Sequence, residues 1–515
     1  MRSLLLSLAL LLGLPCAAHA ESNFTRLNSP GPHAVGLRVV EQYDFSRGYR
    51  GPTDTVTGKP VTGERARPVQ TLIWYPAETG AAPAMKVVDY LRLGAGDDDF
   101  SPPPAERAAQ AARFVQGRVD ALPPARAQAE LAAPMLAVKD AAASAGQWPV
   151  VIYAPSFGAW SFENADLCEY LASQGYLVIA SPSIGQASRE MTSDLEGVEA
   201  QVADIRFLIG FAHGLPQADS SRVAVIGYSW GGLANVLAAA KDSRIGAVVS
   251  LDGSVRYWPD LVKQAGYATP ARNTAPLLYL AARPMEIEEL SEGRNKATSY
   301  LNRLKYADVY RVTLYPMTHP NFSVMFDQRL RPDEQYQDYD KAELSTAYAW
   351  LETYVRRFLD AYLKGDIAGR AFLDLPAASS GAPAHLLKVN ASHSQGTPPT
   401  RASFAAELAR RGADHASEIY QSFKAQEPDF SLPEDELNAW GYQLMGMGDR
   451  KAAVALLRLA AELNKESWNA FDSLGEAYAN DGAKAQAIAA YRQSLVLNPK
   501  NEHAVAQLKV LGTKP

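Results

Sequence analysis

Apolar and polar positions alternate along the first two-thirds of the chain in a pattern that predicts a layered α/β fold. Short runs of Val, Ile, Leu, Ala and Tyr with few polar residues are typical of strands that a parallel sheet buries on both faces. The runs are Val69–Tyr75, Val150–Tyr153, Leu177–Ala180, Val223–Ile226, Ala247–Leu251, Leu277–Ala281 and Tyr310–Leu314. The stretches between them, such as Glu199–Ala212 and Gly232–Lys241, carry apolar residues at helical spacing. We therefore predict a mostly parallel sheet with helices on both faces.

Two segments interrupt this alternation. Residues 79–147 form an Ala- and Pro-rich insert that contains a helical pattern over Ala105–Val115. The insert is either part of a cap over a site or a surface excursion, and the pattern does not choose between the two. Residues 376–400 follow the amphipathic stretch Lys341–Lys364 and are rich in Ala, Ser, Gly and Pro, which is typical of a linker.

Beyond this segment the pattern is helical throughout, and it repeats at a fixed interval. Gly441 recurs as Gly475, and the other matched positions have the same offset, 475 − 441 = 34 residues. This is the period of the tetratricopeptide repeat, a helix–turn–helix unit. The expected elements are two repeats, roughly Glu434–Ser467 and Trp468–Asn501, with the helices Phe404–Phe423 and Glu502–Leu511 capping the stack.

The first residues have the composition of an export signal. Arg2 supplies a positive charge, Leu4–Leu14 is apolar, and Ala18 and Ala20 occupy the −3 and −1 positions of a cleavage site. About eleven apolar residues are too few for a bilayer, which needs roughly 20. We expect residues 1–20 to be a signal peptide, the protein to be periplasmic or secreted, and no transmembrane segment to be present.

Charge and cysteine content narrow the function classes. The net charge is −6, and the chain has no strong basic block, so nucleic acid is not an expected partner. Signal cleavage would remove Cys16 and leave Cys168 alone, which excludes an intramolecular disulfide and a thiolate zinc cluster. The sequence also lacks a His-x-x-x-His pair. We expect neither a metal nor another cofactor.

The candidate nucleophile lies between a strand and a helix. The segment Gly227-Tyr228-Ser229-Trp230-Gly231-Gly232 follows the run Val223–Ile226 and opens a helical stretch. A serine at such a turn needs small neighbours because the backbone is strained and closely approached. The amides at the helix N-terminus would face a developing oxyanion. A purely structural Gly-rich turn is the alternative, but the strand-to-helix context favours Ser229 as a nucleophile.

A serine hydroxyl needs a base, and His319 is the candidate. It lies in Tyr315-Pro316-Met317-Thr318-His319-Pro320, directly after the last apolar run. The other histidines precede the sheet, end a helix ahead of Ser229, or belong to the predicted linker and tail. His319 therefore fits the position of the base best.

The histidine in turn needs a carboxylate, and position alone leaves two candidates. Asp252 ends the run Ala247–Leu251, directly after the nucleophile helix. The alternative is an acidic cluster that follows the next run and contains Glu286, Glu288 and Glu289.

The arrangement resembles the platelet-activating-factor acetylhydrolase family of α/β-hydrolases. The resemblance rests on Ser229, on Asp252 at a spacing of 252 − 229 = 23, and on His319 followed by Asn321-Phe322. The early strand at Arg67–Pro76 and the segment Trp148–Tyr153 leading to Gly158 are also similar to that family. The likeness covers roughly Gly36 to Phe326 and excludes the tail.

The resemblance implies roles that the spacing alone does not establish. It implies Asp252 as the acid and the backbone amides of Phe157 and Trp230 as the oxyanion hole. The family usually has His-Gly ahead of the first of these amides, whereas this chain has Pro155-Ser156. The size of the acyl group therefore does not carry over. Dienelactone-hydrolase relatives share the scaffold but commonly use a cysteine nucleophile, which Ser229 is not.

The resulting prediction is an exported serine hydrolase that cleaves carboxylic esters through an acyl-enzyme. Ser229 would attack the carbonyl of a small-molecule or lipid ester, His319 would transfer the proton, and Asp252 would orient His319. Two alternatives stay open: a peptidase or lactonase with the same triad, and an inactive interaction protein that binds a protein partner through the repeats. The expected domains are a signal peptide at 1–20, an α/β-hydrolase domain at 21–375, a linker at 376–400 and a repeat domain at 401–515.

Overall fold

The computed structural model describes residues 22–282, 300–332, 336 and 338–514. The predicted signal peptide and the Glu286–Glu289 cluster lie outside the described residues. By its internal contacts the chain divides into two compact units between Gln395 and Gly396.

The strands among the described residues of the first unit are β1 (Ala34–Tyr49), β2 (Arg65–Ala77), β3 (Ala137–Lys139), β4 (Trp148–Ala154), β5 (Leu177–Ala180), β6 (Ala218–Tyr228), β7 (Ile245–Leu251), β8 (Leu277–Ala282), β9 (Val309–Leu314) and β10 (Leu387–Ser392). They form a single sheet in the order β10-β9-β8-β7-β6-β4-β5-β2-β1-β3. Neighbours from β5 through β4 to β9 are parallel, as are β1 and β3, whereas β10 joins β9, β2 joins β5 and β1 joins β2 in antiparallel register.

The central strands are largely apolar because the sheet has a core on each face, and β4 is apolar at every position. In β4, Val151 and Tyr153 belong to one hydrophobic core, and their neighbours Val150 and Ile152 belong to the other. Successive side chains of a strand point to opposite faces, so an uninterrupted apolar run fills both cores.

Helices cover both faces of the sheet. Buried residues of Ala165–Ser173 and Lys341–Leu363 belong to one core, and those of Leu195–His213 and Trp230–Lys241 to the other. The remaining helices of this unit are Val87–Leu91, Pro104–Val119, Pro124–Ala132, Pro259–Ala265, Ile367–Leu373 and Ala377–Ser380. The α/β-hydrolase fold that the sequence predicted is confirmed. Within the described residues, no helix combines the length and the apolar composition that crossing a bilayer requires.

The predicted linker at 376–400 is wrong in its bounds, because part of it belongs to the sheet. Strand β10 pairs with β9 from Leu387 opposite Leu314 to Ser392 opposite Val309. Its sequence, LKVNAS, alternates apolar and polar residues, which is typical of a strand with one face toward solvent. The hydrolase unit therefore extends to Gln395.

The insert at 79–147 contains three α-helices, a short 3-10 helix at Arg92–Gly94, and β3. The helix predicted over Ala105–Val115 runs from Pro104 to Val119 and passes through Gly117. The ring of Phe114 packs against Trp160 at 5.1 Å. The insert thus packs beside the segment that follows β4.

The second unit consists of helix pairs. Arg401–Arg411 and Ala416–Gln426 replace the single helix predicted over Phe404–Phe423, because Gly412 interrupts it with a φ of 101°. The later helices are Glu434–Gly446, Arg450–Leu463, Trp468–Asn480, Lys484–Leu497 and Glu502–Val510. The pair that begins at Trp468 repeats the bounds of the pair that begins at Glu434, at an offset of 468 − 434 = 34.

Both copies of the repeated glycine allow close packing within a helix pair. A Cβ on Gly441 would lie 2.5 Å from the side chain of Leu457, and one on Gly475 would lie 2.8 Å from the ring of Tyr491. The partners have the same offset, 491 − 457 = 34. The 34-residue helix-pair repeat is therefore present, and its assignment to the tetratricopeptide family stays a prediction.

A pair of truncations tests the boundary at Gln395. Protein that ends at Gln395 should be soluble and keep the full activity of the first unit, since β10 is retained. Protein that ends at Leu375 should aggregate or lose most activity, because it exposes the edge of β9 next to the segment that carries His319. The measurements are soluble yield, circular dichroism and ester turnover. Equal behaviour of the two truncations would contradict the assignment of β10 to the hydrolase unit.

Candidate active site

Ser229 occupies a strained turn between β6 and the helix Trp230–Lys241. Its backbone has φ 53° and ψ −114°, in the left-handed half of conformational space that non-glycine residues rarely adopt. Its amide donates to the carbonyl of Leu251 at 3.1 Å, and its carbonyl accepts from the amide of Ser254 at 2.7 Å. These bonds to the end of β7 and to the turn that follows it hold the Ser229 turn in place and offset part of the strain.

The flanking glycines are required by close backbone contacts. A Cβ on Gly227 would lie 2.1 Å from the carbonyl oxygen of Gly231, and one on Gly231 would lie 2.1 Å from that of Ala154. Both distances are far below van der Waals contact. The spacing of small residues around Ser229 thus follows from the packing of the turn.

The structure brings Ser229, His319 and Asp252 together. The Nε2 atom of His319 lies 2.9 Å from the Oγ of Ser229, and its Nδ1 lies 2.5 Å from an Oδ2 oxygen of Asp252. Both are hydrogen-bond distances. Three residues that are far apart in the sequence are therefore joined by one continuous chain of hydrogen bonds.

Asp252 is buried beside His319 and held by hydrogen bonds to its neighbours. It follows β7, its side chain is fully buried, and its φ is 43°. The other oxygen, Oδ1, accepts from the amide of Ala282 at 3.0 Å, and the amide of Asp252 donates to the carbonyl of Leu280 at 2.7 Å. Contacts from β8 therefore fix the carboxylate on the side away from His319.

His319 is oriented from its own segment and from β6. Thr318 and Asn321 form a reciprocal capping box at the turn His319–Phe322. The hydroxyl of Tyr228, next to Ser229, donates to the carbonyl of His319 at 2.9 Å. The side chain of His319 is 40% exposed, so a substrate can approach its Nε2 from solvent.

The two predicted oxyanion donors lie at the same edge of the sheet as Ser229. Residue Ala154 at the end of β4 pairs with Gly227 of β6, so the segments that follow these strands are neighbours. The rings of Phe157 and Trp230 pack edge to face at 5.4 Å. Neither backbone amide donates to an acceptor among the described residues, which leaves both open to a ligand. Their role as an oxyanion hole stays a prediction.

Comparison with known proteins places this site in a recognised type of domain. Residues 135–316 match the dienelactone hydrolase family. The match spans β3 to β9 and includes Ser229 and Asp252, and it ends 319 − 316 = 3 residues before His319. It supports a dienelactone-hydrolase-like domain that acts on ester bonds.

One solved structure similar to the chain is a ferulic acid esterase from Streptomyces cinnamoneus. It shares 20% sequence identity, has a TM-score of 0.48, and the similarity covers 71% of this chain and 98% of that chain. No curated protein matches the chain.

Sequence reasoning missed Glu163, a buried carboxyl beside the predicted oxyanion segment of the dienelactone-hydrolase-like domain. It accepts from the Oγ of Ser156 at 2.5 Å and from the amide of Ser156 at 2.8 Å. Its partner Ser156 directly precedes Phe157. Burial raises the pKa of Glu163 to about 7, against the lowering effect of these bonds. No local pattern marks this glutamate, because its partner becomes a neighbour only through the fold.

Glu163→Gln should change how stability depends on pH. The carboxyl ionises near pH 4.5 in the unfolded chain and near pH 7 in the folded one. The stability it contributes is therefore complete below about pH 4.5 and is lost as the pH rises to about 7. The melting temperature of the wild type, minus that of the variant, should be larger at about pH 4.5 than above pH 7. A difference that does not change with pH would contradict the assigned titration.

The described residues contain no group of three or more His, Cys, Asp or Glu side chains that could hold a metal ion. Cys168 lies on the helix Ala165–Ser173 and is 1% exposed. Burial raises the pKa of its thiol well above the usual value, which disfavours the thiolate that a nucleophile needs. The nucleophile candidate of this domain is therefore Ser229.

Proposed function

We propose that the protein is a serine carboxylic-ester hydrolase that works through an acyl-enzyme. The observation that carries the proposal is the chain of contacts Ser229–His319–Asp252, with 2.9 Å and 2.5 Å at its two links. The dienelactone-hydrolase match is independent support for ester chemistry.

In the first half-reaction, Nε2 of His319 takes the proton from Oγ of Ser229 as that oxygen attacks the ester carbonyl. The imidazolium so formed is paired with the buried Asp252, and the developing oxyanion faces the amides of Phe157 and Trp230. The C–O bond to the alcohol then breaks, and His319 gives its proton to the leaving oxygen.

In the second half-reaction, water takes the place of the alcohol. His319 removes a proton from water as the water oxygen attacks the acyl carbonyl of the serine ester. Collapse of this intermediate breaks the bond to Ser229, whose Oγ regains the proton, and releases the carboxylic acid.

Aromatic side chains around Ser229 favour an apolar acyl or alcohol group. Phe157 and Trp258 are 46% and 38% exposed, and both pack edge to face on Trp230, the residue after the nucleophile. The resemblance to platelet-activating-factor acetylhydrolases adds phospholipid esters as candidate substrates. We infer that small apolar esters are accepted and that water-soluble charged peptides are not.

A substrate panel tests this proposal. Nitrophenyl esters of increasing acyl length, a phospholipid, a lactone and peptides would be compared at equal enzyme concentration, with Ser229→Ala as the matched control. The proposal predicts turnover of nitrophenyl esters that depends on Ser229. Peptide or lactone cleavage without ester cleavage would favour a peptidase or lactonase, and no turnover at all would favour an interaction protein.

The proposed mechanism uses no metal, so chelation is a direct test. Prolonged EDTA treatment should leave ester turnover unchanged. Loss of turnover that one added divalent ion restores would contradict the mechanism. Turnover would be measured before treatment, after it, and after the ion is added.

We also propose export to the periplasm or beyond, on the composition of residues 1–20. The helix-pair unit offers a surface for a protein partner, as helical repeats commonly do. N-terminal sequencing of the secreted protein, expected to begin at Glu21, tests the cleavage after Ala20.

A further inference from the structure

Asp252 has a second charged partner besides the histidine. The Nη2 atom of Arg256 donates to Oδ1 of Asp252 at 2.7 Å, on the oxygen that does not face His319. The side chains of Arg256 and Asp252 are 3% and 0% exposed. A buried carboxylate that serves a histidine thus also forms a buried ion pair.

Arg256 is held in one place by aromatic side chains. It follows β7 in the short turn Ser254–Arg256, and its guanidinium lies over the rings of Tyr257 at 4.7 Å and Tyr279 at 5.5 Å. Its Nη2 also donates to the hydroxyl of Tyr257 at 2.6 Å. The fully buried Tyr279 is fixed in turn, because its hydroxyl donates to the carbonyl of Gly253 at 2.6 Å.

These neighbours keep the guanidinium of Arg256 charged beside the carboxylate of Asp252. Burial alone would lower the pKa of Arg256, but its neighbours Tyr279, Asp252 and Tyr257 raise it above the usual value. Arg256 therefore stays positively charged beside Asp252 at neutral pH and below.

We propose that Arg256 is a positioning residue that both orients Asp252 and sets the pH at which His319 becomes an effective base. The inference rests on the proposed function of the triad. By binding Oδ1, the arginine directs Oδ2 at Nδ1 of His319. By offsetting the charge of Asp252, it makes the imidazolium less favourable and so keeps His319 deprotonated at lower pH.

Other ionisable groups also face His319 or lie near it. Tyr228 on β6 donates to its carbonyl, the ring of Tyr257 lies 6.3 Å from the imidazole, and the buried Glu163 interacts with it electrostatically. Asp327, in the turn after His319, is paired with Arg331 at 3.1 Å. Tyr257 also contacts Arg256 and would lose that contact on substitution, so a charged and a neutral variant at Arg256 are compared to separate the charge from the contact.

The test compares variants at Arg256 by two measurements. One is the NMR titration of the His319 ring. The other is the pH dependence of kcat/KM for a nitrophenyl ester, whose rise at the acidic side is called the acidic limb. Arg256→Gln should raise the pKa of His319 and move the acidic limb upward by about one pH unit, the size expected from losing one close charge. It should also lower kcat by about tenfold or more with little change in KM. Arg256→Lys should keep the limb near its wild-type position because the charge is retained.

Arg67→Gln is the matched control. Arg67 is buried and forms an ion pair with Asp204 at 2.6 Å, but it does not touch Asp252. Its loss should reduce stability without moving the pKa of His319. If Arg256→Gln does not fold, Arg256→Met is the second neutral variant, since an apolar chain can replace a buried charge.

The outcomes separate this inference from the proposed function. A folded neutral variant with an unmoved pKa of His319 would overturn the inference, as would Arg256→Lys with a pKa as high as that of the neutral variant. Wild-type protein without Ser229-dependent turnover would instead contradict the proposed function, while the NMR titration would still report on Arg256.

Discussion

Ser229→Ala should lower ester turnover by about 10³-fold or more while the fold survives. The methyl group of alanine fits the same turn, but it has no oxygen to attack the carbonyl and no proton for Nε2 of His319. Residual activity would come from the oxyanion donors and from binding alone. The measurements are kcat and kcat/KM together with the melting temperature.

Ser250→Ala is the matched control for this substitution. Ser250 is buried on β7 beside the same turn, and its Oγ has no hydrogen-bond partner among the described residues. The same atom is removed close to the site, so turnover should stay within about threefold of the wild type. Folded Ser229→Ala protein that retains near-wild-type turnover would exclude Ser229 as the nucleophile.

Asp252→Asn should have the second large effect, up to about 10⁴-fold in turnover. The amide keeps the shape of the side chain, but its NH₂ group next to Nδ1 favours the wrong histidine tautomer and leaves the imidazolium without its counterion. The fold should survive because Ala282 and Arg256 can still bind the remaining oxygen. The measurement is kcat/KM with a circular dichroism check.

Glu286→Gln and Glu288→Gln serve as the comparison, because these residues belong to the alternative acidic cluster. Each should cost less than about tenfold in turnover. A large loss of turnover at either glutamate, with a small loss at Asp252, would contradict the assignment of Asp252 as the acid that serves His319.

The sequence predicted the centre of the sheet better than its edges. Strands β4 to β9 have a core on both faces, so each contains a run of mostly apolar residues. Strand β1 was missed and the edge strand β10 was taken for a linker, because both carry polar residues at partly or fully exposed positions. In the second unit, the apolar pattern predicted one helix over Phe404–Phe423, but Gly412 divides it into two.

The residues of the candidate site were likewise predicted from the sequence only in part. Ser229 and His319 lie next to predictable elements, so their places in the sequence were sufficient to select them. The choice of Asp252 over the glutamates needed a family resemblance, and the structure brings Asp252 to His319. Arg256 and Glu163 were not predicted, because their partners become neighbours only through tertiary contacts.

The most direct test of the account is where a covalent adduct forms. The protein would be treated with a fluorophosphonate, digested, and its peptides analysed by mass spectrometry. The account predicts one stoichiometric adduct on Ser229, absent in Ser229→Ala and strongly slowed in a His319→Ala variant. A folded wild-type protein that forms no adduct, or that forms it on another residue, would contradict the account.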